Sequence, residues 1–385
     1  MSPLKVLLVG NYLPDGQESM LRFCRLLERE LLERGADVRV VYPRRQWRRL
    51  FTRGGLCGKW LGYIDKYLLF PRELKEAAAW ADVVHVCDHS NAIYLPCLES
   101  RPNLITCHDL LAVRAACGEK TYCDVSSTGK VLQRWIKSCL PRAGMIVCDS
   151  EATKKDALRL LGTFDPANVR VVTLGFNHPY RRLDRQHSAR TLEQAGLALG
   201  ASPYVLSVGD TQPRKNRDGI LRIFALVKDK FDGQLVFAGQ PLNDQLRGMA
   251  FDLGLKERVK EIVKPDNEVL EALYNQAFAL LFPSRAEGFG WPIIEAQACG
   301  CPVLCSDCGP LPEVAGNSAL MRAVDDERGF AADLLSLMDS AERDKWMRLG
   351  LENVQRFNSQ EMIEKYHEIY EEILVRSQGR HNQAP

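Results

Sequence analysis

Short, nearly unbroken apolar runs alternate along this chain with longer stretches of helical periodicity, and that alternation restricts the fold more than any other feature. The first series is LKVLLVG (4–10), VRVVY (38–42), DVVHVC (82–87), NLITC (103–107), MIVC (145–148) and VRVV (169–172). Such runs lack the in-out alternation of a half-exposed strand and suit parallel strands covered by helices on both faces. Between the first two, residues 18–35 place Met20, Phe23, Leu27 and Leu31 at helical spacing before Gly35 closes the helix. The expected unit is an α/β doubly wound sheet.

A second series opens after residues 184–202, a stretch that is polar and then rich in Ala and Gly. It comprises PYVLSVG (203–209), QLVFAG (234–239), VKEIV (259–263), FALLF (278–282) and PVLC (302–305), with helical patterns from about 326 onward. A chain of 385 residues also exceeds the roughly 250 to 300 that one hydrophobic core serves. Two Rossmann-like domains are therefore expected, 1–185 and 200–356. The segment 357–385 reads as a long terminal helix crossing back to the first domain.

Composition narrows the partners. Hydrophobic residues make up 46% and charged residues 26%, as in an ordinary soluble globular protein, and a net charge of +2 gives no global field that selects nucleic acid. MSPLKVLLVGNYLP reads as a first buried strand rather than a signal peptide, and no run approaches the roughly 18 apolar residues of a membrane span. A cytoplasmic or membrane-peripheral protein is expected. The 13 cysteines are odd in number and scattered, which argues against a disulfide framework and fits a reducing compartment. Cys299, Cys301, Cys305 and Cys308 cluster in ACGCPVLCSDC, but no histidine or second CxxC pair accompanies them, so they read as small buried hydrophobes and no metal is expected.

Two loops carry candidate chemistry, because ligands of open parallel sheets bind outside the carboxyl ends of the strands. EGFGWPIIEA (287–296) follows FALLF directly. Gly288 and Gly290 permit close backbone approach, Pro292 suits the start of a helix, and a helix N-terminus offers free amides and a positive dipole end to an anion. Glu287 falls in the loop and Glu295 in the expected first turn. Carboxylates accept hydrogen bonds from hydroxyls and repel phosphate, so two of them beside an anion site suit a nucleotide sugar; the alternative is that both merely cap the helix. SVGDTQPRKN (207–216) follows the first strand of the second domain, turns through Gly209 and Pro213, and brings Arg214, Lys215 and Asn216 to the same edge. Arginine as a planar fork and lysine as a point charge match a pyrophosphate; a solvated basic turn is the other reading.

PSRAEGFGWPIIEAQACGCPV (283–303) resembles the signature of the retaining glycosyltransferases of family four, which have the GT-B fold of two facing Rossmann-like domains with a cleft between them. Weaker matches extend along the chain: TCHDL (106–110), VCDSEATKKD (147–156), the turn holding Arg214 and Lys215, LVFAG around Gly239, and LPEVAG (311–316). The resemblance implies a nucleotide-sugar donor, a UDP- or GDP-sugar in the first place, and a hydroxyl acceptor that is lipid-linked or part of a cell-envelope glycan. By the same resemblance Lys215 and Arg214 hold the diphosphate, Glu295 the ribose hydroxyls, and Glu287 the transferred sugar. The amides of Gly288, Phe289 and Gly290 line the sugar pocket, and His108 lies beside the sugar. It also implies front-side transfer without a metal, which the absence of an Asp-x-Asp motif matches. Two features depart from the pattern: Asp210 stands where many relatives carry arginine, and the first loop, GNYLPDGQESM, lacks a double glycine.

Residues 43–72 interleave Arg44, Arg45, Arg48, Arg49, Arg53, Lys59, Lys66 and Arg72 with six aromatic residues, opposed only by Asp65. The stretch fits an anionic membrane surface, or else an amphipathic helix packed on its own domain. Two rivals to a transferase share the scaffold, a nucleotide-sugar epimerase and a non-catalytic binding protein. A dinucleotide oxidoreductase is disfavoured because no G-x-G-x-x-G follows the first strand.

Overall fold

The computed structural model describes residues 3–44, 62–197, 199, 200 and 202–381. Within them, all eleven apolar runs form strands: β1 (Lys5–Val9), β2 (Asp37–Val41), β3 (Val83–Val86), β4 (Asn103–Cys107), β5 (Ile146–Cys148), β6 (Val169–Val171), β7 (Tyr204–Gly209), β8 (Gln234–Gly239), β9 (Val259–Val263), β10 (Ala279–Phe282) and β11 (Val303–Ser306). A twelfth, β12 (Leu320–Arg322), escapes the sequence reading because it is a partly exposed edge strand of three residues with no apolar run. The strands make two six-stranded parallel sheets, ordered β2-β1-β3-β4-β5-β6 and β12-β11-β10-β7-β8-β9. The expected α/β architecture of two Rossmann-like sheets is the one observed.

Chain contacts divide the molecule into two units. The first comprises residues 1–119, 125–177 and 359–385; the second comprises 120–124 and 178–358. The stretch read as a connector is mostly a helix of the second unit, Arg185–Gln194, capped by the Asp184 side chain, which accepts from the amide of His187. Only Ser188 and Leu192 are buried along it, so its polar composition hides a real helix.

In the first unit, helix α1 (Glu18–Glu33) buries Phe23, Leu27 and Leu31 on the face that the sequence periodicity marks, and β1, β3, β4 and β5 each contribute two side chains to a core otherwise built from the helices and loops that cover the sheet. Helix α2 (Ser127–Cys139) starts at Ser126, whose hydroxyl accepts from the amide of Gly129. The terminal helix (Ser359–His381) is part of this unit. Its Tyr366 and Tyr370 are fully buried; Tyr370 Oη lies 2.8 Å from His85 Nδ1, and Tyr366 Oη lies 3.0 Å from Thr106 Oγ1, which in turn meets His85 Nε2 at 2.7 Å. Burial lowers His85 to about 3, so it packs as a neutral ring.

In the second unit, β7, β8, β10 and β11 carry a core closed on one side by helix α3 (Arg217–Val227), which buries Ile220, Leu221, Ile223, Phe224 and Val227. Strand order reverses where β7 stands between β8 and β10. That is the switch point at which open parallel sheets bind ligands, and the loops leaving β7 and β10 are the two that carry the candidate chemistry.

Candidate functional site

The loop after β7 ends in a single helical turn, Pro213–Lys215. Asn216 follows in the left-handed conformation with φ of 53°, a conformation that asparagine tolerates better than most residues. Its carbonyl oxygen caps α3 by accepting from the amide of Gly219 at 3.2 Å, while its side-chain amide donates to Pro283 O at 2.9 Å. Asn216, expected as a ligand contact, thus acts in this structure as the peg between the two loops. Gly209 ends β7 with φ of 145°, and a Cβ there would lie 3.2 Å from Lys215 Cε, so glycine leaves room for the lysine stem.

The two loops converge on one carboxylate. Lys215 Nζ lies 2.8 Å from Glu287 Oε1 and Arg214 Nη1 lies 2.9 Å from Glu287 Oε2. Burial would raise the Glu287 carboxyl, but the charges of Lys215 and Arg214 outweigh it and hold the group below the ordinary carboxylate value. Asp210 approaches Arg214 Nη2 at 3.5 Å and accepts from the amide of Gln212. The residue that departs from the family pattern therefore offsets part of the positive charge expected there.

Helix α4 (Trp291–Ala298) begins at Gly290, whose φ of 106° and tight fit exclude a side chain, since a Cβ would lie 2.6 Å from Leu311. No side chain caps this N-terminus. Pro292 is the second helical residue, so Glu295 lies just beyond the first turn rather than within it. Glu295 is buried and its Oε2 accepts from Tyr274 Oη at 2.9 Å. Gly288 and Phe289 complete the loop, with the Phe289 ring edge-on to Phe357 at 6.0 Å.

One residue at this site is not apparent from the sequence. Arg285 donates from Nη1 and Nη2 to the two oxygens of Asp218 at 3.0 and 2.9 Å, and from Nη1 to Pro213 O at 2.9 Å. Its backbone amide donates to Arg214 O at 2.7 Å. It fastens the loop bearing Glu287 to the turn bearing the two cations. The ring of Tyr122, from the short 120–124 segment of this unit, lies 5.5 Å from its guanidinium.

His108 belongs to the first unit, where β4 and β5 run in register with Cys107 beside Cys148. The next residues on each strand meet: His108 Nδ1 lies 2.6 Å from Asp149 Oδ2, and His108 Nε2 lies 2.9 Å from Cys87 O. Cys87 O only accepts, so Nε2 carries a proton, and with the Asp149 carboxyl ionised the ring donates from both nitrogens as an imidazolium, although burial raises Asp149 against the pull of His108. Burial opposes that charge, but Asp149 and Asp88 prevail and push the group up to about 9. Neither nitrogen is left over for a sugar hydroxyl in this arrangement.

The remaining expectations concern metals and surfaces. Among the described residues no group of three or more His, Cys, Asp or Glu side chains has the arrangement of a metal site; Cys299, Cys301 and Cys305 are buried free thiols and Cys308 is partly buried. No described helix is long and apolar enough to cross a membrane. Of the cations in 43–72, Arg45, Arg48, Arg49, Arg53 and Lys59 lie outside the described residues. The other three pair within the chain: Arg44 with Glu73, Lys66 with Asp15 and Arg72 with Glu76. Ile64, Leu68, Val131 and Trp135 are exposed, and the Tyr67 ring touches Trp135 at 5.3 Å. Lys130, Arg134 and Lys137 are the only charged residues of α2.

Residues 190–350 match the family described as glycosyl transferases group 1, and residues 20–178 match glycosyltransferase family 4. The O-antigen chain mannosyltransferase B of Escherichia coli is 29% identical over 302 residues, 77% of this chain and 76% of that protein. Among solved structures, sucrose-phosphate synthase from Thermosynechococcus elongatus superposes with a TM-score of 0.75 at 20% identity, covering 97% of this chain and 99% of the other. Anabaena Alr3699/HepE in complex with UDP and glucose gives 0.71 at 18%, covering 95% and 98%.

Proposed function

We propose, for a chain that belongs with the glycosyltransferases of the GT-B fold, that it transfers a hexose from a UDP- or GDP-sugar to an acceptor hydroxyl with retention and without a metal. The observation that carries this reading is the convergence of Arg214, Lys215 and Glu287 at the switch point of the second sheet. Arg214 and Lys215 hold the diphosphate, Glu287 and the loop from Gly288 to Gly290 hold the sugar, and Glu295 holds the ribose. In the transfer, the bond between the anomeric carbon and the phosphate oxygen breaks while the acceptor oxygen bonds to that carbon from the same face. The acceptor's proton passes to the leaving phosphate. The two cations stabilise the charge that builds there, which is the usual largest contribution in such sites. His108 supports the end of β4 as a fixed positive charge, a role consistent with its two inward hydrogen bonds. The mannosyltransferase relative, named for O-antigen chains, supports a glycan or lipid-linked acceptor.

Thermal unfolding with UDP, GDP and ADP in turn, in the presence of EDTA, tests the donor site. A ligand at a hundred times its dissociation constant stabilises by about 2.7 kcal/mol. UDP or GDP is expected to raise the midpoint, and no shift with any of the three overturns the reading. The anomeric configuration of the product decides retention.

We further propose that the first unit contacts an anionic membrane surface through α2 and the adjoining residues 64–68. Exposed Val131, Trp135, Leu68 and Ile64 sit with Lys130 and Arg134, and each cation near such a surface contributes up to about 1 kcal/mol. The protein is expected to sediment with anionic vesicles at low salt and to lose that binding in Trp135→Glu. Failure to bind at low salt removes the membrane from the account.

A further inference from the structure

The candidate donor site already holds an anion of its own. Both oxygens of Glu287 are taken, one by Lys215 at 2.8 Å and the other by Arg214 at 2.9 Å, and Asp210 lies 3.5 Å from Arg214. The two carboxylates offset the two cations that are to hold a diphosphate. Both cations are also anchored at their bases. Arg214 is held through its main chain by the amide of Arg285, and Lys215 Nζ lies 5.0 Å from the Phe282 ring on a stem packed against Gly209. An incoming diphosphate and the Glu287 carboxylate must therefore compete for the same two groups.

Chemistry separates the two ligands of the reaction in that competition. A sugar-bearing diphosphate has no titrating terminal phosphate and offers sugar hydroxyls, which a displaced carboxylate can accept. The nucleoside diphosphate left after transfer has gained a terminal phosphate, with a second pKa near 6 and so about one more negative charge at neutral pH. It has also lost the hydroxyls.

We propose that Glu287 is an internal competitor that selects the donor over its product: the sugar-bearing donor displaces it and rewards the freed carboxylate with hydroxyls, and once the sugar has gone Glu287 returns to Lys215 and Arg214 and expels the nucleoside diphosphate. The inference rests on the donor-site reading above and adds product release to it. It makes Glu287 a specificity residue as well as a sugar contact.

The test is direct binding of UDP, GDP and ADP to the full chain, by calorimetry, for the unsubstituted protein, Glu287→Gln and Glu287→Ala. Removal of the competing charge is expected to tighten the recognised nucleoside diphosphate by at least about tenfold in both variants, the order expected for relief of a close like-charge contact. The unfolding midpoints of both variants without nucleotide establish that they fold. If the unsubstituted protein binds one of the three and neither variant binds it more tightly, the competitor role is overturned while the donor site stands. If none of the proteins binds any of the three, the donor-site reading fails and the inference falls with it.

Discussion

Lys215→Ala is expected to lower turnover by about two to three orders of magnitude, because removing one preorganised donor to a developing charge costs about 3 to 4 kcal/mol in the transition state. Lys215 is placed for that role by three independent constraints. The helical turn after β7 ends on it, Gly209 leaves space for its stem, and Glu287 sets its ammonium at 2.8 Å. The substitution also leaves Glu287 with Arg214 as its remaining cation at the site, so part of the effect could come through stability. Unfolding midpoints of the variant separate the two, with turnover measured well below the transition. Lys215→Arg sharpens the comparison: it keeps the charge but replaces a compact ammonium by a planar fork, and partial recovery is expected. Near-normal turnover of the alanine variant would exclude the assigned role.

The sheets were readable because parallel strands buried on both faces leave an apolar signature that needs no partner to be recognised. β12 lacked that signature, and so did the helix Arg185–Gln194, which rests on only two buried side chains. At the candidate site, Arg214, Lys215 and Glu287 could be nominated from their loops. Their mutual pairing could not, because it joins positions more than 70 residues apart through the order of strands. Arg285 was hidden for the same reason: its meaning comes from Asp218, 67 residues away, and neither residue has a local pattern that announces the other. Glu295 shows a finer limit. Proline is tolerated at either of the first two helical positions since neither amide has an intrahelical acceptor, and a shift of one residue in the helix start moved the glutamate out of the first turn.

His108 could be placed after β4 from sequence, but its charge state follows from the neighbouring strand, and this leads to the second large effect expected. Replacing Asp149 by asparagine should destabilise the first unit by about 3 to 5 kcal/mol, the range for stripping one partner from a buried ion pair. The pH dependence identifies the pair. An ordinary histidine titrates near 6.5, whereas His108 is raised to about 9 by Asp149 and Asp88 against the effect of burial. A group that binds its proton more tightly when folded contributes stability that is complete below pH 6.5 and is lost as pH rises towards 9. At roughly 1.4 kcal/mol per pH interval, that contribution is at most about 3 to 4 kcal/mol. His85 pulls the other way: burial lowers it to about 3, so the unfolded chain takes up the proton more readily and stability falls as pH drops below 6.5. The first unit should therefore be most stable near neutrality, with an alkaline limb to which His108 contributes beside the raised His89 and Asp149, and an acid limb to which His85 contributes beside the lowered Asp88. Urea unfolding at a series of pH values, read from hydrogen exchange in the β4 and β5 peptides, checks this. His108→Gln should flatten the alkaline limb most and weaken the acid limb slightly, since the His108 charge adds to the burial that holds His85 down. An alkaline limb unchanged by that substitution would mean that the ring is neutral in the folded state.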